Sequence, residues 1–331
     1  MIRSVIAGIG SYVPPRVVTN DELSKLMTTT DEWIRTRSGI EERRFADEGV
    51  YCSDLALDAT RNALADANLD PSDLDFIIFA TLSPDHHFPG TGCFLQAKLG
   101  VPSIGCLDVR NQCTGFVYGL AVGDAFVRTG MYRHVLIVGS EIHSSALDLS
   151  DNGRDVSVLF GDGAGAVVLA PSTEKDRGII YSELHADGRF AKILHMDVWN
   201  ISRKPYLTHQ HFDTGEIWPH MDGKTVFKHA VTRMAELVTN ALARCNVQPE
   251  DIKFIVPHQA NLRINQLVAE RLGFPQDKFL SNIQKHGNTT AASIPLLLDQ
   301  TYRAGKLDRG DLLLLIAFGS GFTWGSTLMR W

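Results

Sequence analysis

The sequence predicts an α/β protein made of two related halves, and two observations carry that expectation. Phe76-Ile-Ile-Phe-Ala is a continuous apolar run of strand length, as expected of a strand covered on both faces. The chain also repeats itself. Asn62-Ala-Leu-Ala-Asp-Ala-Asn-Leu-Asp-Pro-Ser-Asp-Leu-Asp-Phe-Ile-Ile78 aligns with Asn240-Ala-Leu-Ala-Arg-Cys-Asn-Val-Gln-Pro-Glu-Asp-Ile-Lys-Phe-Ile-Val256 at an offset of 178, with nine of seventeen positions identical. Each copy reads as helix, turn and buried strand. At the same offset Cys113 falls on Ala291, inside Gly287-Asn-Thr-Thr-Ala-Ala-Ser293, and 135–140 matches 312–320 with a small shift. The period is too long for a solenoid, so a duplication about a pseudo-twofold axis is expected. We place the halves at 1–175 and 176–331. Their meeting point should be a cleft with helix N-termini aimed into it.

The elements follow in order. Residues 2–9 alternate into a strand. Asn20-Asp-Glu-Leu and Thr30-Asp-Glu-Trp33 open short helices, each with a capping side chain at its start. Trp33, Arg35 and Arg37 form a cluster that is either a packed tryptophan with solvated arginines or a phosphate or nucleotide contact. A helix is expected over 53–68. The stretch 107–120 reads as a strand, a cysteine at a tight turn, and an amphipathic helix with Phe116, Leu120, Phe126 and Val127 at helical spacing. Cys113 would then meet free backbone N–H groups at the positive end of a helix dipole, which favours thiolate. The plainer alternative is a small buried hydrophobe.

Gly161, Gly163 and Gly165 suggest a phosphate loop, but no Lys-Ser/Thr follows, so tight backbone packing is the better reading. Gly8-x-Gly10 lacks the rest of a dinucleotide fingerprint. His209, His211 and His220 lie in a long irregular stretch, 185–222. No regular element sets ligand spacing there, so a surface loop is favoured over a metal.

Composition bounds the function. The 331 residues are 44% apolar and 21% charged, with mean hydropathy −0.05. No apolar run approaches the roughly 18 residues of a membrane span, and residues 1–8 lack the apolar core of a signal peptide. A formal charge of −6 leaves no basic footprint for nucleic acid. The five cysteines are odd in number and widely spaced, without Cys-x-x-Cys. That argues against a disulfide framework and a zinc site. A reducing, cytoplasmic setting is expected, with a thiol left free for chemistry.

The chemistry-bearing residues of the second half are His258, in Val256-Pro-His-Gln-Ala-Asn261-Leu-Arg263, and Asn288, in His286-Gly-Asn-Thr-Thr-Ala. By the repeat, both should approach the cleft that Cys113 enters. A thiolate takes an acyl group from a thioester at little energetic cost, because one thioester replaces another. His and Asn can both donate to a carbonyl oxygen that becomes an enolate. That combination suits carbon–carbon bond formation from two thioesters. The glycine-rich turn Phe318-Gly-Ser-Gly-Phe-Thr-Trp-Gly325 could add its backbone N–H at Ser320 to that of Cys113 as an oxyanion hole.

At Pro257-His-Gln-Ala-Asn-Leu-Arg263, Gly287-Asn-Thr-Thr-Ala-Ala-Ser293, Phe160-Gly-Asp-Gly-Ala-Gly, the 318–325 turn and Thr30-Asp-Glu-Trp-Ile, the chain resembles the β-ketoacyl-acyl carrier protein synthase III family of the thiolase superfamily. The resemblance covers essentially the whole chain. It implies a thiolase-like five-layered αβαβα fold, a homodimer, no cofactor, and a Cys113, His258 and Asn288 triad. It implies an acyl-CoA donor, then decarboxylative condensation with malonyl-acyl carrier protein. It also implies substrate and CoA contacts at Trp33, Arg37, Arg154, Gly223, Phe227, Ala260 and Asn261, and a carrier-protein contact at Arg263. Phe88 would reach across the dimer to close the partner's acyl pocket.

The departures are Asn111, Gln112 and Thr114 around the nucleophile, Asn152 in place of a CoA-stacking Arg, Lys224 in place of a tunnel Asn, Ser320 in place of Gly, and a longer 185–222. With Ser83-Pro-Asp-His-His87 they resemble the branch that makes alkylquinolone precursors. A specialised condensing enzyme using the same triad on another donor is therefore the alternative. A degradative thiolase would want a second cysteine near the C-terminus, and the 318–325 turn has none. A catalytically dead scaffold would be free to lose His258 or Asn288, and both are present.

Overall fold

The computed structural model describes residues 2–174 and 176–331. The chain opens with β1 (Arg3–Tyr12), β2 (Val17–Thr19), α1 (Asn20–Leu23), α2 (Asp31–Ser38), β3 (Glu42–Arg44), α3 (Cys52–Ala67) and β4 (Phe76–Ala80). It continues through α4 (Thr91–Leu99), β5 (Gly105–Val109), α5 (Gly115–Arg128), β6 (Val135–Glu141), α6 (Arg154–Ser157) and β7 (Gly163–Ser172). Then follow β8 (Gly178–Ala186), β9 (Leu194–His195), α7 (His209–Asp213), β10 (His220–Met221), α8 (Gly223–Cys245) and β11 (Ile252–Pro257). The last elements are α9 (Leu262–Leu272), α10 (Ile283–His286), α11 (Ser293–Arg303), β12 (Leu312–Gly319) and β13 (Thr323–Arg330). The expected boundary at 175 lies outside the described residues.

Two sheets result. One has the order β1-β7-β6-β4-β5, and the other β11-β12-β13-β8. Apolar burial sorts the helices into layers around them. Phe116 and Leu120 of α5 and Ile294, Leu297 and Leu298 of α11 form one cluster with strands of both sheets, so these helices are the filling between the sheets. Leu55, Ala56, Ala59 and Ala63 of α3 cover the outer face of the first sheet. Ala235 and Val238 of α8, with Ile264 and Val268 of α9, cover the outer face of the second. The sequence of layers is αβαβα.

The repeat is visible in the backbone itself. Among the described residues, four non-glycine positions have positive φ: Asn68 (53°) and Asn246 (52°), Gln112 (45°) and Thr290 (47°). Each pair is separated by the same 178 positions. Asn68 and Asn246 close α3 and α8 as left-handed caps, a conformation asparagine tolerates better than most residues. Gln112 and Thr290 stand at matching turns, 112–114 and 290–292, each followed by a helix of the central layer.

Local sequence explains the remaining boundaries. Thr30 caps α2 by accepting the Trp33 N–H at 3.0 Å, and Gly39 at φ 81° ends it. The cap of α1 is Thr19 rather than Asn20. The Asn20 side chain instead accepts from buried Arg43 at 2.8 Å. Glycines 161, 163 and 165 mark close packing, as expected. A side chain at Gly165 would stand 2.7 Å from Pro295 Cβ, and one at Gly161 would strike the His286 carbonyl.

The 185–222 stretch is less irregular than its sequence suggests. β9 pairs antiparallel with β10 through His195 and His220. His211 is buried rather than on the surface, where its Nδ1 accepts the Thr208 N–H at 3.0 Å.

Leu298 lies fully buried between the two sheets. Leu298→Ala should lower the stability of the fold by about 2–5 kcal/mol, read as a shift of the urea midpoint at fixed protein concentration.

Candidate active site

β5 delivers the chain to Cys113, and α5 leaves from it. The strained residue before the cysteine, Gln112, turns the backbone sharply there. Cys113 is 9% exposed. Its turn packs against the turn 290–292 and against the end of β12. The fit is close: a Cβ on Gly319 would lie 2.7 Å from Cys113 Cβ, so only glycine is tolerated. The next residue, Ser320, directs its backbone N–H at the Cys113 thiol. Thr114 Oγ1 and Thr323 Oγ1 share a hydrogen bond of 2.8 Å across the same seam. Ser320 Oγ donates to the Leu194 carbonyl at 2.5 Å, tying the 185–222 stretch to this turn.

His258 is the first residue beyond β11, and its N–H donates to the Ile316 carbonyl of β12 at 2.8 Å. It is 2% exposed. Its Nδ1 and Ser293 Oγ share a hydrogen bond of 2.7 Å, and Ser293 Oγ also donates to the Thr290 carbonyl at 2.9 Å. Ser293 has a single hydroxyl proton: given to the Thr290 carbonyl it leaves the imidazole proton on Nδ1, and turned to Nδ1 it puts that proton on Nε2, the form that can donate to a ligand. His258 Nε2 is buried without a partner. A buried polar atom left unpaired costs on the order of 1–3 kcal/mol, a cost that a ligand able to pair with it would recover.

Asn288 is fixed by its backbone to the first half. Its N–H donates to the Leu159 carbonyl at 2.8 Å, and its carbonyl accepts the Gly161 N–H at 3.1 Å. Its Oδ1 accepts the Thr290 N–H at 2.9 Å, which leaves the Nδ2 hydrogens as the donor end. His286 does not join this group. Its Nε2 pairs with Gln300 at 2.9 Å.

The electrostatics correct one expectation. The N–H groups of Cys113 and Ser320 do favour thiolate, but burial and then the Glu141 carboxyl push the thiol up to about 12. Burial pushes the His258 imidazole down to about 3, with His143 adding to the effect. The resting pair is therefore a thiol and a neutral imidazole. Dipole arguments from sequence omit desolvation, which dominates in a site this dry.

A second cluster lies at Trp33. The Arg37 guanidinium sits 4.4 Å and the Arg154 guanidinium 4.7 Å from the ring centroid. Arg154 also donates to the Thr28 carbonyl at 3.2 Å, and Asp151 holds Thr28 through its N–H and hydroxyl. Arg35 belongs to the surface, paired with Asp31 and Glu41. Asn261 caps α9 by accepting the Arg263 N–H, and its Nδ2 donates to the Arg37 carbonyl at 2.9 Å. Arg263 in turn stands 5.9 Å from the Phe227 ring. Trp33, Arg37, Arg154, Asn261, Arg263 and Phe227 thus form one linked face. Gly223, exposed at the first turn of α8, and Ala260, beside the Asn261 cap, make no side-chain contact of this kind. Phe88 is 80% exposed and stands apart from these groups.

The chain matches the family model for 3-oxoacyl-[acyl-carrier-protein] synthase III over 107–188 and that for its C-terminal part over 242–331. It is 46% identical to the β-ketoacyl-[acyl-carrier-protein] synthase III of Caldanaerobacter subterraneus over 330 residues, covering 100% of this chain and 98% of that one. The crystal structure of the Aquifex aeolicus 3-oxoacyl-[acyl-carrier-protein] synthase III superimposes with a TM-score of 0.91 at 41% identity, covering 99% of this chain and 100% of that one. The priming β-ketosynthase of the R1128 polyketide pathway superimposes with a TM-score of 0.89 at 35% identity, over 99% and 96% of the two chains. Fold and relatives together define a thiolase-fold condensing acyltransferase. Within that class the chain belongs to the β-ketoacyl-acyl carrier protein synthase III family.

Ser293 stands in a motif that the sequence singles out, but nothing local reveals its contact with His258. The free-enzyme electrostatics give a direct test. Alkylation of Cys113 by iodoacetamide, followed by mass spectrometry, should keep rising with pH through 9. A thiolate–imidazolium pair would instead give a plateau near neutrality.

Proposed function

We propose that Cys113 accepts an acyl group from acyl-CoA and that His258 and Asn288 then assist decarboxylative attack by a malonyl thioester carried on acyl carrier protein. The observation that supports this most is the buried, partnerless His258 Nε2, with His258 and Asn288 both tied to the 290–293 segment that packs on the Cys113 turn. In the first step the thiol sulfur bonds to the donor carbonyl carbon and the carbon–sulfur bond to CoA breaks. The thiol proton leaves with CoA. The carbonyl oxygen takes negative charge on the way, where the N–H groups of Cys113 and Ser320 would stabilise it. In the second step carbon dioxide leaves the malonyl group, and its electron pair becomes an enolate facing His258 Nε2 and Asn288 Nδ2. That carbon attacks the acyl carbonyl, and the Cys113 sulfur departs as thiolate and takes up a proton from solvent to restore the thiol.

The Trp33 face is our candidate for the CoA nucleotide. Trp33 offers a ring, and Arg37 and Arg154 offer charges for phosphates. Phe227, Gly223, Ala260 and Asn261 would follow the pantetheine arm, and Arg263 would meet the acidic carrier protein. In this reading Phe88 is exposed because a second copy of the chain covers it, as a homodimer requires. The reaction needs no cofactor, and a cytoplasmic setting keeps Cys113 reduced. The units 1–175 and 176–331 would supply the nucleophile and the enolate donors respectively. The polar surroundings of the cysteine, notably Thr114 with Thr323, favour a second reading, a specialised donor in place of a fatty-acid primer.

Incubation with a panel of acyl-CoAs and intact-protein mass spectrometry distinguishes the two, because the chain length that acylates Cys113 fastest names the donor. Cys113→Ala should remove the adduct completely. Should the wild-type cysteine stay unmodified by every acyl-CoA and acyl-carrier thioester, the nucleophile assignment fails. His258→Ala should acylate yet fail to condense, and loss of acylation in a folded variant would refute its role. Trp33→Ala should raise KM for acyl-CoA about tenfold, the loss of roughly 1–2 kcal/mol of stacking and cation contact.

A further inference from the structure

His143, two residues beyond β6, takes no part in the steps above. It is 6% exposed and held on two sides. Its backbone N–H donates to Asp162 Oδ1 at 2.7 Å, and its ring packs 4.7 Å from that of Phe160. Burial pushes the imidazole down to about 3, so it is neutral and offers one donor and one acceptor. Its Nε2 shares a hydrogen bond of 2.7 Å with Thr290 Oγ1.

Thr290 needs such a hold. Its φ of 47° is strained for a β-branched residue and costs on the order of 1–3 kcal/mol unless its neighbours enforce it. The strained turn makes its backbone serve both enolate donors. The Thr290 N–H points at Asn288 Oδ1, and the Thr290 carbonyl lies 2.9 Å from the Ser293 hydroxyl, which also meets His258 Nδ1 and, turned toward it, leaves the imidazole proton on Nε2. A further contact to this turn from the first half, Ala291 N–H to Glu141 Oε1, is long at 3.5 Å.

We propose that His143 is a positioning residue that locks Thr290 in its left-handed conformation, aiming the Asn288 amide and seating Ser293 under His258, and so serves condensation rather than acylation of Cys113. This rests on the roles given above to Asn288 and His258.

The test separates the two half-reactions in the full-length protein. Acylation is read as the Cys113 adduct formed with acetyl-CoA and octanoyl-CoA. Condensation is read as single-turnover product after mixing the acylated protein with malonyl-acyl carrier protein. His143→Leu should acylate within about twofold of wild type and lose about tenfold or more in condensation, roughly 1.4 kcal/mol of barrier. His143→Gln, which restores a polar group near Nε2, should recover most of that loss. Thr290→Val removes only the hydroxyl contact and should reproduce the loss. The double variant should lose no more than either single one, because the two residues act through one contact.

Equal losses in both half-reactions, additive losses in the double variant, or unchanged condensation in His143→Leu would each overturn the proposal. If His143→Leu does not fold, Thr290→Val decides by the same criteria. Asn288→Ala separates this proposal from the reading beneath it. Wild-type condensation by that variant would sink the triad assignment and His143 with it. A loss there with none in His143→Leu or Thr290→Val would sink His143 alone.

Discussion

The constraint on which the site depends is steric: main chain closes on main chain where the two large sheets' turns converge. A Cβ on Gly319 would stand 2.7 Å from that of Cys113, and one on Gly139 would strike the Ala291 carbonyl. Side-chain-free positions let the turn of the nucleophile, the turn of Asn288 and the end of β12 share one small volume. The central helices α5 and α11 start from those turns, so the packing of the middle layer and the geometry of the site are set together. A protein interior packed at crystal density transmits any misfit at this point.

That closeness also excludes water, and exclusion of water governs the charge states. Cys113, His258 and His143 are all moved toward their neutral forms by burial. Hydrogen-bond donors then act in a medium where each is worth more than in solvent. In the mechanism proposed above, charge is created only when substrate brings it, first as a tetrahedral oxygen and then as an enolate, and His258 Nε2, buried without a partner, is the atom proposed to meet it.

Much of this was legible in the sequence because it is local or periodic. The apolar run of β4, the amphipathic face of α5, the Thr30 cap and the duplicated helix–turn–strand follow from spacing alone. The repeat also placed Cys113 opposite the segment that carries Asn288. What escaped depends on distant partners. His143 and Thr290 are 147 positions apart, and His258 and Ser293 are 35 apart. No periodicity relates such pairs, and a histidine beyond a strand looks the same with or without a partner. The expected thiolate failed for a similar reason: a helix-start argument contains the dipole but not the depth of burial. The ordered pairing of β9 with β10 was hidden because two-residue strands carry too few side chains to show alternation.

Gln112 and Thr290 carry one backbone shape at two equivalent places. At the first, the residue that follows is a cysteine; at the second it is Ala291, with no reactive atom. Mutational tolerance should therefore be lopsided. In the first half the bend matters for what it lifts into the cleft, so the residue after it is the indispensable one. In the second, on the roles proposed above, the bend matters for what it turns back toward, so the guarded residues are Thr290 itself and those before and after it, Asn288 and Ser293, while Ala291 need only be small and inert. A duplicated fold can thus be symmetric in its main chain and wholly asymmetric in which of its positions selection must guard.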